Sequence, residues 1–577
     1  MILAGKRLSD NKAKSIMLEG THEFIQVCLQ AAGELNCRIV LVGGAVRDYL
    51  AKRAISDYDF VADTDDKELV KVLARKIAEK SSGAFVELDA ERGFFRIARK
   101  EVHADIATRV GDSLLEDAFS RDFTVNAIYK DIADDKYFDP CGGIADLRDN
   151  VLRTVSPESL VRDPLRAIRA WRMICKYNMR YNGELEKQVR EASAKLDKVA
   201  SERITEELFC CLGCNIVSHW DFAHTNGILE ALFPECKGAF ANVRLALSEL
   251  DKAIAALPQN VRILTEERLG KVMAAQRTMR QNLRLAVILG AGYADGCGAD
   301  SAGEAVSASA CDGDAGNAEG ARFADGCQQG LTWLEKACEN FSLSRREKKF
   351  LAKVVPNCAE PVRLYAQKQP LRYWNALFRR NEYVPELMLC AAALHAAESF
   401  TPCGTHATAA AYGELAPAMP ESASLTPDTP KPAPISQAPP SVPPAQAPNV
   451  PAPASHCALH SHLPPSVPPA QVSAGVQPSP ASVLQNAAAQ QYQLRVKQLF
   501  ENGDFFTFVI FMIGDFFQEG QVCQPNIPYT GADIAEKYSL SGEAIRKILD
   551  ELAGISAERG GLSAKDAEEY ISGIMNR

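Results

Sequence analysis

The chain has 577 residues, too many for a single compact core, so several domains are expected. Apolar residues make up 47% and charged residues 24%, as in globular proteins, and a formal charge of −9 excludes a surface that is basic throughout while allowing a local basic stripe. The 17 cysteines follow no framework spacing and the first residues, Met1 to Arg7, hold no secretory apolar run, so reduced thiols and a cytoplasmic location are expected.

Residues 1 to about 35 predict helix, with Phe24, Val27, Cys28 and Ala31 spaced to face a core. Strand patterns follow at 38–42, 57–62, 84–88, 93–98 and 102–107, with helices at 45–52 and 65–80. In the second helix Leu69, Val70, Leu73 and Ile77 form an apolar stripe between charges. The pattern is a small α/β head over residues 1–150.

Two features of this head carry chemistry. The run Arg38-Ile-Val-Leu-Val42 reads as a buried strand, and Gly43-Gly44 after it, leading into a helix, leaves backbone N–H groups for a triphosphate. In Asp57-Tyr58-Asp59 the side chains at i and i+2 of an extended segment project to one face, where paired carboxylates hold divalent metal. Glycines for phosphate and aspartates for Mg²⁺, in this order and close together, describe nucleotidyl transfer.

From Pro157 to about 290 the pattern is helical throughout. Arg162, Arg166, Arg169, Arg172, Lys176 and Arg180, then Lys187 and Arg190, make a basic stripe whose position after the catalytic segment favours a polyanion-facing role. Cys211 and Cys214 have no second pair at zinc-ribbon distance and read as helix residues. Residues 291–330 are rich in Gly, Ala, Ser, Asp and Cys and predict a disordered insertion.

Helix resumes over 331–400. Residues 401–490 are Pro/Ala-rich, with Pro-Pro-Ser-Val-Pro-Pro-Ala-Gln starting at Pro439 and again at Pro464, and predict a disordered spacer; His456, Cys457, His460 and His462 within it lack the supporting shell of a metal site. Residues 491–577 predict a terminal helical module, in which the apolar stretch Phe505–Ile513 is too short to span a bilayer.

Several further motifs stand in order along the chain: Arg121-Asp-Phe-Thr-Val-Asn126, Asp139-Pro-Cys-Gly142-Gly143, Asp163-Pro-Leu-Arg166-Ala-Ile-Arg169, Ser201-Glu202-Arg203-Ile-Thr-Glu206 and Gly227-Ile-Leu-Glu-Ala-Leu-Phe-Pro234-Glu235. With the glycine pair and the two aspartates, this set resembles the class II tRNA nucleotidyltransferase and bacterial poly(A) polymerase family, whose best-known members are the CCA-adding enzymes. The resemblance is densest over about 38–235 and returns weakly at Phe341-Ser-Leu-Ser-Arg-Arg346 and Thr530-Gly-Ala-Asp-Ile-Ala535.

The resemblance implies an α+β fold: a nucleotidyltransferase head of the polymerase β type, then an all-helical neck at 151–215, nucleobase-selecting, a body at 216–290 continued at 331–400, and the tail at 491–577. It implies addition of C and A from CTP and ATP to the tRNA 3′ end with release of pyrophosphate. Asp57 and Asp59 would hold Mg²⁺, with Asp105 on a neighbouring strand as a third catalytic carboxylate. Gly43, Gly44, Arg47, Arg121, Asp122, Asn126 and Arg169 fall at nucleotide-binding positions, and Asp163 with Arg166 forms the pair expected to read the base edge.

Arg162 stands where CCA-adding relatives commonly have Glu, which bears on the fine control of that pocket. The stretch Phe85–Phe94 lacks the basic segment of poly(A) polymerases and the C-terminal module is mixed in charge, so a tRNA-directed enzyme is preferred. CC-only or A-only addition, poly(A) polymerase and, from another class, an idle RNA-binding scaffold are the alternatives. The sequence indicates no membrane partner and fixes no oligomeric state.

Overall fold

In the computed structural model the described residues are 19–55, 57–99, 103–301, 332–379, 381–399, 491–492, 494–517, 527–559 and 561–575. Contacts divide the chain into residues 1–401 with 485–577 and, separately, residues 402–484. The latter unit, with the Pro-rich tract and its His and Cys residues, lies outside the described residues, as do 302–331.

The head runs α1 (Glu19–Glu34), β1 (Ile39–Val42), α2 (Gly44–Leu50), β2 (Asp57–Ala62), α3 (Lys67–Lys80), β3 (Ala84–Asp89), β4 (Phe94–Ala98), β5 (His103–Thr108), α4 (Leu114–Ser120), β6 (Tyr129–Asp131) and β7 (Lys136–Phe138). Its strands form a seven-stranded sheet in the order β3-β4-β5-β2-β1-β6-β7. The pair β2–β5 is parallel and all the others are antiparallel. The strands predicted from the sequence fall within a residue or so of those observed. β6 and β7 were not expected; three residues each are too few to show an alternation.

Alternation along the strands sorts the two faces of the sheet. Tyr58, Phe60, Phe95, Ile97, Ala104 and Ile106 pack with Phe24 and Cys28 of α1 and with Val70, Leu73 and Ile77 of α3. Each such large side chain, fully buried, contributes roughly 1.5–3 kcal/mol. The α3 stripe is held in place at its start by Asp66, whose carboxylate accepts from the Leu69 N–H at 3.0 Å. The residues between these apolar positions, Asp57, Asp59, Arg96, His103 and Asp105, therefore share the opposite face.

After the head come α5 (Gly143–Arg148), α6 (Ser159–Arg162), α7 (Arg166–Tyr177), α8 (Gly183–Ser193) and α9 (Ser201–Leu212). α7 buries Ala167, Ile168, Trp171 and Ile174, and Trp171 meets Trp220 edge-on at 6.2 Å between centroids. One apolar core continues from this neck through the helices of the body to Phe508, Val509, Met512 and Ile513 of helix Phe505–Phe517. Cys211 is buried in α9 and bonds the Ile168 carbonyl, whereas Cys214, expected to be a helix residue, stands just past the helix end, half-buried, and bonds the Cys210 carbonyl. Helices Gly531–Tyr538, Glu543–Arg559 and Ala564–Met575 close on a small core of their own built from Ile534, Ile548, Leu552, Ala567 and Ile571.

The helical run predicted from 157 to 290 is broken by a two-stranded hairpin, Val272–Ala274 with Arg277–Thr278. Its turn puts Ala275 and Gln276 at φ 44° and 63°, a conformation neither residue favours, so no turn signal marks it in the sequence. The predicted insertion at 291–330 also starts too early, because helix Met279–Ser301 runs through its first residues. Ala291 is buried, and Gly292 lies so close to Cys236 that a side chain would not fit. Small residues there serve close packing.

The two weaker stretches of family resemblance are helix starts. Ser344 with Glu347, and Thr530 with Asp533, form reciprocal capping boxes. Among the described residues no helix is long and apolar enough to cross a membrane.

Candidate active site

β1 delivers the chain to Gly43, at φ 71°, where the backbone turns into α2. A Cβ on Gly43 would stand 3.4 Å from Asp59 Oδ2 and 3.8 Å from Arg121 Nη1, so a glycine here keeps the space beside that carboxylate open. In the parallel register Asp57 faces His103 and Asp59 faces Asp105, and Arg96 of β4 faces Asp105 across the antiparallel pair. Three carboxylates thus leave one face of the sheet.

Asp57 is exposed and Asp59 half-buried. Burial, then the charge of Asp105, pushes the Asp59 carboxyl up to about 6, against the pull of the Arg121 guanidinium. Such a concentration of negative charge suits a bound cation, and Asp57 and Asp59 fit a divalent ion as ligands. Asp105 is differently placed. Arg96 holds both its oxygens, Nε to Oδ1 at 2.7 Å and Nη2 to Oδ2 at 2.8 Å. Among the described residues no group of three or more His, Cys, Asp or Glu side chains forms a metal cage.

The loop after α4 presents Arg121, Asp122 and Asn126. Arg121 Nε donates to Asp117 at 3.1 Å and to the Tyr129 hydroxyl at 2.9 Å, leaving Nη1 toward Gly43. The loop is propped from below by the Asp139-Pro-Cys-Gly-Gly motif. Asp139 accepts from the N–H groups of Gly143 and Ile144 at 2.7 and 2.9 Å, and Gly143 lies against the Thr124 carbonyl with no room for a side chain.

Arg47 lies beside Gly44, where its charge acts to lower the Asp59 carboxyl, while its hydrogen bonds go to other groups. It is buried, with Nη1 on Asn126 Oδ1 at 2.6 Å, paired with Asp48 and stacked on the Tyr177 ring at 4.5 Å. Asn126 passes the chain of bonds to Asp122, whose other oxygen accepts from Arg169 at 3.2 Å. Arg169 and Arg172 in turn share Glu207, at 2.9 and 3.2 Å. Burial alone would raise the Asp122 carboxyl, but Arg169, the Asn126 amide and the Phe123 N–H outweigh it and hold it below the ordinary carboxylate value.

Asp163 and Arg166 are not joined as a pair. Asp163 is bound by Arg203, at 2.7 Å to Oδ2 and 3.3 Å to Oδ1. Arg166 spends Nη1 and Nη2 on the carbonyls of Arg121, Ser159 and Ser120 and on the Ser159 hydroxyl, at 2.8–3.1 Å. Part of the predicted basic stripe is similarly engaged within the protein: besides Arg169 and Arg172, Arg162 donates to the Phe119 carbonyl, Arg180 to the Asp149 carbonyl and Arg190 to Asn226, although these three, with Lys176 and Lys187, remain exposed.

Residues 39–153 match the poly A polymerase head domain. The head is thus similar to that domain. The chain is 34% identical over 230 residues to a CC-adding tRNA nucleotidyltransferase of Synechocystis, covering 39% of this chain and 54% of that one. It is 38% identical over 177 residues to an A-adding tRNA nucleotidyltransferase of Deinococcus radiodurans, covering 30% and 39%. A solved CCA-adding enzyme of Thermotoga maritima, complexed with tRNA, aligns at 20% identity with a TM-score of 0.49, over 67% of this chain and 82% of that one. The chain spans about half the length, or less, of the curated relatives it matches. Enzymes with this head typically use divalent metals.

Residues of the site that the sequence did not single out are Arg96, Tyr177 and Glu207. The first is visible only through strand register, Tyr177 only through the packing of the neck onto the head, and Glu207 only through the packing of α9 against α7.

Proposed function

We propose that the chain is a template-independent RNA nucleotidyltransferase that adds C, A or both, from CTP and ATP, to the 3′ end of tRNA in the cytoplasm, using Mg²⁺. The carrying observation is the same-face pair Asp57 and Asp59 beside the side-chain-free Gly43. The 3′ oxygen attacks the α-phosphorus, the bond from that phosphorus to the bridging oxygen breaks, and pyrophosphate leaves. Divalent metal at Asp57 and Asp59 supplies charge neutralisation of the triphosphate and a lower pKa for the attacking hydroxyl.

The protein's own groups do the rest. Gly43 and Gly44 leave room for phosphate against the backbone, and Arg121 adds positive charge beside it. Asp122 and Asn126, locked by Arg169 and Arg47, give a rigid polar wall toward the sugar. For the base, the carboxylate–guanidinium pair on offer is Asp163 with Arg203, which presents an acceptor beside a donor as C and A require. Arg166 anchors the loop that carries Arg121.

The test is incubation of the purified protein with Mg²⁺, tRNA lacking its 3′ end, and each labelled nucleotide in turn. Incorporation of C, of A, or of both in order distinguishes CC-only, A-only and full CCA addition. Long A tracts would mean a poly(A) polymerase. No incorporation in Mg²⁺ or Mn²⁺, with tRNA still bound, would leave an idle RNA-binding scaffold.

A further inference from the structure

The carboxylates of the sheet face carry a counter-ion supplied by the fold. Asp59 and Asp105 are neighbours in the β2–β5 register and Arg96 stands opposite Asp105 in the β4–β5 register, so the three side chains leave the same face. The Arg96 fork on Asp105, at 2.7 and 2.8 Å, is the bidentate geometry in which both carboxylate oxygens are engaged by charge-assisted bonds. Asp105 is 9% exposed while the Arg96 side chain is 42% exposed. The pair therefore sits at the rim of the site, where the guanidinium can leave without unpacking the core behind it.

We propose that Arg96 is a positioning residue that competes with divalent metal for Asp105. While Arg96 holds the fork, an incoming ion meets Asp57 and Asp59 only; Asp105 becomes a ligand when Arg96 releases it. This inference rests on the two-aspartate metal reading given above. Its physical basis is that a guanidinium and a divalent ion confined to the same few ångströms repel, and each is attracted by the same carboxylate. Arg96 lowers the negative charge the metal sees and also blocks the third ligand, so both effects weaken metal binding in the resting protein. Arg121 and Arg47 also stand near Asp59, but their ion-pair partners are Asp117 and Asp48, so of these three arginines only Arg96 occupies a carboxylate of the Asp57, Asp59 and Asp105 set.

The experiment is Mn²⁺ binding to the full chain without RNA or nucleotide, followed by electron paramagnetic resonance or calorimetry. Arg96→Gln is expected to bind Mn²⁺ roughly tenfold more tightly than the wild type, since it removes a nearby cation and frees Asp105. Arg96→Lys, which keeps the charge and loses the fork, should fall between them. Asp105→Asn alone, which leaves the Arg96 charge uncompensated beside the site, should weaken binding, and adding it to Arg96→Gln should cancel most of the gain.

An Arg96→Gln chain with unaltered thermal unfolding and no tighter binding overturns the proposal, as does a gain in Arg96→Gln that persists undiminished when Asp105→Asn is added. Should Arg96→Gln fail to fold, Arg96→Lys carries the decision: tighter binding than wild type supports competition, and equal or weaker binding refutes it. A wild type that binds no Mn²⁺ sinks the two-aspartate reading, and this inference with it.

Discussion

The head and the neck use charge in opposite ways. On the sheet face three carboxylates, Asp57, Asp59 and Asp105, crowd together with Arg96 paired to the last of them, and Asp59 is pushed up to about 6 by burial and by Asp105. Between head and neck the signs alternate, from Asp48 to Arg47 and, through Asn126, from Asp122 to Arg169 and Glu207. A cluster that works against its own stability implies a ligand that offsets the cost, whereas a balanced network implies a joint that must keep its shape. Residue type alone does not separate the two uses, since both consist of aspartates and arginines.

The sharpest break of this comparison is at the sheet face. Asp57→Ala or Asp59→Ala should lower nucleotide incorporation by about three orders of magnitude or more, while thermal stability and tRNA affinity stay near wild type. Measured single-turnover incorporation close to wild type in either variant would remove the assigned site.

The next effect falls on stability and on the neck. Asp122→Asn leaves Arg169 with Glu207 alone and should destabilise the chain by about 2 kcal/mol at neutral pH, read from denaturant unfolding. The folded Asp122 carboxyl lies below its ordinary value, so its contribution is complete above the unfolded pKa of about 3.9 and is lost as pH falls through the lower folded value. Wild type and variant should therefore converge in stability on acidification below that range. A gap that persists unchanged through acid would show that the ion pair is not its source.

How far the sequence exposes this architecture follows from the range of each interaction. Period-two patterning, the glycine turn and Asp57-x-Asp59 are local, and β1 to β5 of the head appear where they predict. The pairings of Arg96 with Asp105 and Arg203 with Asp163 depend on register or on contacts 40 residues apart, and no spacing announces them. Arg47 shows the limit most clearly: it follows the glycine pair as a phosphate-binding arginine would, yet the neck covers it and Tyr177 takes its face. The basic stripe is divided for a related reason: the partners that hold Arg166, Arg169 and Arg172 come from other elements, while Arg162, Lys176, Arg180, Lys187 and Arg190 stay exposed.

A smaller effect separates the two arginines near Asp163. Arg203→Ala frees Asp163 from its guanidinium and should shift relative incorporation of CTP and ATP against UTP and GTP by about tenfold, within the 1–3 kcal/mol typical of a charged contact to a base edge. Arg166→Ala loosens the Ser120–Arg121 backbone and should slow all four nucleotides together, with ratios preserved. A change of ratios in Arg166→Ala, with none in Arg203→Ala, would return base reading to the Asp163–Arg166 pair.

The smallest effect is expected at a conspicuous charge pairing that is open to solvent. Glu34 of α1 receives Lys76 and Lys80 of α3, both at 2.8 Å, and these two bonds bring its carboxyl down to about 2. All three side chains reach solvent, where water and salt screen the attraction and holding long lysines in place costs entropy. Glu34→Gln should therefore leave the unfolding midpoint unchanged within error, at low and at high ionic strength. If it instead destabilises the chain as Asp122→Asn does, then burial is not what gives the neck network its weight, and the distinction between a joint and an exposed pair has to be drawn on other grounds.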